Sequence, residues 1–112
     1  MIDSYEFGRI VVDGKTFTSD VIIYPERVKS DWWRKEGHVL GTDDLEDVLE
    51  QKPDVIVVGT GNPGIMRVLS DTEKLIRSKG IELMAQPTEK ACQTYNRLSS
   101  NKKVIAMLHL TC

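Results

Sequence analysis

Apolar positions along this chain fall into strand-like runs first and helix-spaced stripes later. Residues 5–12 and 15–24 are rich in β-branched and aromatic side chains and meet at Asp13-Gly14. Asp-Gly between two such runs predicts an N-terminal β-hairpin, because both central residues of its tight turn take positive φ. Pro25 stops the second run. Residues 26–41, ERVKSDWWRKEGHVLG, keep no period and read as a long loop. Thr42 or Asp43 then caps a helix reaching about Lys52, with Leu45, Val48 and Leu49 as its apolar stripe and acidic residues in its first turn. Pro53 ends that helix.

Val55–Val58 is apolar without alternation, the pattern of a strand buried on both faces. Ser70 and Glu73 stand in capping-box relation ahead of Leu75 and Ile76, and Gly80 is placed as a C-cap. Ile81–Ala85 reads as the next strand, closed by Pro87. Thr88 caps a third helix whose buried face is Ala91, Cys92, Tyr95 and Leu98. Val104–Leu110 is the last strand. The order ββ-αβ-αβ-αβ predicts an α/β fold. We expect a single three-layer α/β/α domain over residues 1–112, with a mixed, mostly parallel sheet.

Composition narrows the function classes. The chain has 112 residues, 40% hydrophobic and 29% charged, with a net charge of −2. That balance supplies no field for nucleic acid or a membrane surface, so neither is expected as a partner. No apolar run approaches the roughly 20 residues that span a bilayer. No basic segment followed by an apolar one opens the chain, so a cytoplasmic protein is expected. Cys92 and Cys112 are expected to be free thiols, the first packed in the core and the second more exposed. His38, Cys92, His109 and Cys112 match no metal-ligand spacing, and on a strand the odd separation of His109 and Cys112 puts them on opposite faces. No metal and no cofactor is expected.

Gly59-Thr60-Gly61-Asn62-Pro63-Gly64 spells the G-x-G-x-x-G of a dinucleotide turn. In that motif the third glycine opens a helix and an acidic residue ends the next strand. Here the next helix signal is Ser70-Asp71-Thr72, and the next strand ends in Ala85-Gln86-Pro87, with Glu82 at its start. The motif therefore reads as a structural turn. A second option is a cradle in which the N–H groups of Gly59, Thr60 and Gly61 hold a small anion, with Arg34, His38 or Asn96 nearby. No nucleophile motif is present, and the balance leans away from an enzyme. The densest chemical cluster is Asp31-Trp32-Trp33-Arg34 with Gly37-His38. Adjacent side chains on an extended chain point to opposite sides, so one indole can lid the sheet while the other faces out. Trp32, Trp33 and Arg34 form the candidate interaction surface, since Trp and Arg are enriched among interface hot spots.

The succession Trp33-Arg34…Gly37, Val55-Ile56-Val57-Val58-Gly59-Thr60-Gly61, Gly80-Ile81, Thr94-Tyr95-Asn96-Arg97-Leu98 and His109-Leu110-Thr111-Cys112 resembles one family over the whole chain. It is the adipogenesis-associated Mth domain-containing family of conserved hypothetical proteins, whose relatives include a mitochondrial assembly factor for respiratory complex I. The resemblance implies the α/β fold, and it implies a structural or small-ligand role for the glycine turn. It carries no catalytic residues to this chain. The expected function is a non-enzymatic interaction or assembly module, acting on an unidentified protein partner or through weak self-association. The alternative is a small-molecule or anion-binding protein using the glycine turn.

Overall fold

A computed structural model describes residues 1–112. The N-terminal strands β1 (Ile2–Glu6), β2 (Arg9–Val12) and β3 (Lys15–Phe17) form a small antiparallel sheet in that order. Asp13 and Gly14 turn the chain between β2 and β3 with φ of 48° and 80°. Next come β4 (Val21–Ile23), β5 (Val28–Lys29) and β6 (Val39–Leu40). A 3-10 turn (Thr42–Asp44), α1 (Glu46–Glu50), β7 (Val55–Gly59) and β8 (Arg67–Val68) follow. The chain continues through α2 (Ser70–Ser78), β9 (Glu82–Gln86), α3 (Thr88–Leu98) and β10 (Val104–Leu108).

The result is a mixed α/β fold with three helices around a mixed sheet of order β5-β4-β10-β7-β9. β10 pairs parallel with β7 and β7 with β9, while β4 runs antiparallel to both of its neighbours. A separate pair, β6 with β8, is parallel. All five residues of β7 and of β10 are buried. Val55 and Val57 pack with Ala91, Cys92 and Tyr95 of α3 and with Ile2, Ile10 and Val12 of the small sheet. Ile56 and Val58 pack with Val48 of α1, Ile76 of α2, Leu40, Trp32 and Met66. Strand alternation thus sends apolar side chains into two cores. The face under α3 carries the small antiparallel sheet as well, so helices alone do not cover it. No helix is long and apolar enough to cross a membrane.

Several boundaries differ from the periodicity. The run 5–12 breaks at Phe7-Gly8, where Gly8 has φ of 81° and its N–H donates to Leu110 O at 2.8 Å. The run 15–24 breaks at Thr18–Asp20. The helix expected over 42–52 shrinks to α1, because the Asp44 carboxylate accepts the Gly41 and Lys35 N–H groups at 2.9 and 3.1 Å instead of starting an α-turn. Ser70 and Glu73 make no capping box: Leu69 is the cap residue, and Glu73 pairs with Arg77 at 3.0 Å. Pro87 occupies the cap of α3, which frees the Thr88 hydroxyl for other bonds. Within residues 26–41 two short strands appear, each specified by a partner remote in sequence or across a turn.

Candidate functional site

The break at Thr18–Asp20 creates the site. Asp20 accepts from the Leu110 N–H at 2.8 Å through Oδ1, and its Oδ2 lies 2.7 Å from His109 Nδ1 and 2.9 Å from Arg34 Nη2. Burial alone raises the Asp20 pKa. The hydrogen bonds from His109 and Leu110, the His109 charge and the Arg34 contact outweigh it and hold the carboxyl below its ordinary value. With Asp20 ionised, Nδ1 of His109 is the donor of that pair. Arg34 donates through Nε to Gly37 O at 2.8 Å, and its guanidinium sits 4.7 Å from the centre of the Trp32 ring. The Trp32 N–H donates to Asp20 O at 3.0 Å and the Asp31 N–H to Ser19 Oγ at 2.8 Å. Loop 31–38 is thereby fastened to residues 19 and 20.

The end of β10 is fastened from behind by the glycine turn. The His109 N–H donates to Gly59 O at 3.0 Å. The Thr88 hydroxyl donates to His109 O at 2.6 Å and accepts the Gly61 N–H at 2.8 Å. Asn62 and Ile65 donate their N–H groups to Thr111 O and Cys112 O at 2.8 and 2.9 Å. A Cβ on Gly59 would stand 2.8 Å from both Leu108 Cδ2 and Thr88 Oγ1, and one on Gly61 would stand 2.4 Å from Thr111 O. These glycines make room for the start of α3 and for residues 108–112. Gly64 leads into β8 and no helix opens there. The Thr60 N–H, bonded to Gln86 O at 2.8 Å, and the Gly61 N–H are spent within the chain.

Of the residues singled out in the sequence, Arg34, His38 and Trp33 share a cleft of about 350 Å³ with Asp20, His109 and Thr111. Trp32 is 4% exposed and Trp33 84% exposed, so the adjacent indoles do face opposite ways. Gly59 and Gly61 stand behind this cleft as supports. Asn96 lies elsewhere: its amide exchanges two hydrogen bonds of 2.8 Å with the backbone of Ile2, which ties β1 to α3. His38 meets His109 edge-on at 5.5 Å, and Cys112 Sγ lies 3.9 Å from His38 Nε2. Because the strand stops at Leu108, His109 and Cys112 both approach His38, unlike the opposite faces a continuing strand would give. No cluster of three His, Cys, Asp or Glu side chains is set to hold a metal ion. Sequence reasoning missed Asp20. Its signal was the polar Ser19-Asp20 pair interrupting an otherwise strand-like run.

The family described as protein of unknown function (DUF498/DUF598) matches residues 2–109. The chain belongs to the DUF498/DUF598 family. Among curated members, NADH dehydrogenase [ubiquinone] 1 alpha subcomplex assembly factor 3 of Homo sapiens is 30% identical over 106 residues, covering 92% of this chain and 56% of that protein. The same-named protein of Xenopus tropicalis is 25% identical over 94% of this chain and 57% of its own length. The DUF498/DUF598 chain described here thus spans little more than half of these relatives. The crystal structure of a conserved hypothetical protein from Pyrococcus horikoshii OT3 matches with a TM-score of 0.89 and 31% identity, over 100% of this chain and 99% of that one. An Mth938-like domain of Bordetella pertussis matches with a TM-score of 0.68 at 21% identity, over 98% of this chain and 85% of that one, a likeness of fold. The resemblance read from the order of motifs therefore points to the same DUF498/DUF598, Mth938-like family.

Proposed function

We propose that this protein is a non-enzymatic interaction module that works in the assembly of other proteins, docking them through the loop that carries Trp33. The observation behind this is the 84% exposure of Trp33 on a loop fastened by the buried Asp20–Arg34 pair. An exposed indole on a preorganised loop buries a large apolar area on contact while losing little conformational freedom. Of the three residues of the expected surface, Arg34 serves here as the loop's anchor and Trp32 as its floor. The assembly-factor names of the curated relatives support the same class of role, in which the partners are protein subunits.

The test compares wild type with Trp33→Ala in quantitative affinity isolation from a native extract. We expect a defined set of proteins to be lost by the variant, while its melting temperature stays within experimental error of wild type, since an exposed side chain contributes within about 0.5 kcal/mol to stability. Identical protein sets from the two baits would end this assignment.

A further inference from the structure

We propose that the cleft beneath Trp33 is a carboxylate-binding site in which Arg34 Nη1 and His109 Nε2 are the donors. Arg34 and His109 both line the cleft, and their side chains are only 5% and 7% exposed. Each ends in a buried nitrogen with no hydrogen-bond partner. Such nitrogens are destabilising where they stand, and more so when charged, unless an acceptor reaches them. No acceptor within the cluster is left over. Asp20 already receives the Leu110 N–H, His109 Nδ1 and Arg34 Nη2, and Arg34 Nε is committed to Gly37 O. The glycine turn offers nothing, because the Thr60 and Gly61 N–H groups are bonded inside the chain.

The chemistry of the two nitrogens selects the ligand. A guanidinium only donates. His109 gives its Nδ1 proton to Asp20, so Nε2 donates only when the ring is protonated, and an anion bound there takes up one proton with it. A guanidinium and an imidazolium lining one cleft suit an acceptor with two oxygens, since guanidinium groups prefer planar, two-oxygen anions. Asp20 inside the cluster and exposed Asp31 on the rim oppose a doubly charged phosphate and leave a monoanion as the fitting guest. The other titratable groups near the ring are Arg34 at 3.2 Å, His38 edge-on, Cys112 beyond His38, and Tyr5, whose hydroxyl bonds Leu110 O at 2.9 Å. His38 is exposed, and its movement is the natural way in. Two sources share this chemistry: a free small carboxylate, and a carboxylate carried on a protein segment.

The test needs no partner protein, so its result is separate from that of the Trp33 comparison. Protein labelled with nitrogen-15 is titrated by NMR with sodium acetate, with acetamide, and with a short peptide ending in a free carboxylate or in an amide, at constant ionic strength. We expect acetate or the free-acid peptide to move the His109 ring and Arg34 guanidinium signals saturably. Acetate binding assigns a small free ligand; binding of the free-acid peptide alone assigns a protein-borne one. His109→Asn keeps a donor for Asp20 and deletes the unspent nitrogen, and should weaken binding at least about tenfold. Arg34→Lys provides the same comparison if the first variant folds poorly. Acetamide acting like acetate, or no response of the wild-type signals to either carboxylate, would overturn the proposal.

Discussion

Asp20 is the residue on which the site turns, because it alone accepts from the backbone of residue 110 and from two side chains on other segments. It was hidden in the sequence for a physical reason. A short polar pair, Ser19-Asp20, inside a strand-like run looks like a strand's solvent side, and only the sheet pairing shows that the strand stops before it. That one of the adjacent indoles faces out was legible, since neighbouring side chains on an extended chain point to opposite sides, whereas Arg34, expected at the surface, is buried against Asp20. The thiols were legible too. Cys92 is 5% exposed, and burial, aided by the Glu89 charge, pushes its pKa up to about 12. Cys112 is half-buried. Timed alkylation of native protein at neutral pH should therefore modify Cys112 first and Cys92 only as the chain opens, because the thiolate is the reacting form. Faster modification of Cys92 would refute this.

At the scale of elements, β7 and β10 were readable as unbroken apolar runs, β9 as a short apolar run closed by proline, and α3 by its helix-spaced stripe. The two-residue strands β6 and β8 were not, because their pairing is decided by position in the fold and leaves no periodic trace. One cap failed for a related reason: Thr88 carries a capping side chain, but the tertiary acceptor His109 O takes its hydroxyl. The turn after β7 shows what such competition builds. Gly61 has φ of 103°, and a Cβ there would overlap Thr111 O, whereas Gly14 has φ of 80° and nothing within 4 Å of a Cβ. Gly61→Ala should thus cost at least about 2 kcal/mol, with strain and overlap combined, while Gly14→Ala should cost about 1 kcal/mol from the backbone alone. Thermal denaturation of the two variants measures both. Equal losses would show that the turn is not clamped against residues 111 and 112.

Across the whole molecule, the Asp20 cluster joins segments far apart in the chain, around residues 20, 34 and 109, and so couples their order to the global fold. Its folded carboxyl sits below the ordinary value. The stability it contributes is fully present above the unfolded pKa of about 3.9 and is lost as pH falls through the lower folded value. Asp20→Asn should cost about 3–5 kcal/mol at neutral pH, since it leaves the Arg34 charge buried without its partner. Denaturant titration should show that gap narrowing as pH falls below about 4. A gap that kept its size through that acid range would contradict the assignment. The layering was only partly legible, because the small antiparallel sheet that shares a face with α3 folds back on the core through turns whose direction no local pattern sets. The two tryptophans carry a last consequence, which is optical. Trp32 lies buried under the Arg34 guanidinium and Trp33 stands in water, so we expect the first indole to emit to the blue of the second. Unfolding should then merge the two colours, whereas contact at the loop should shift only the red, with no added dye.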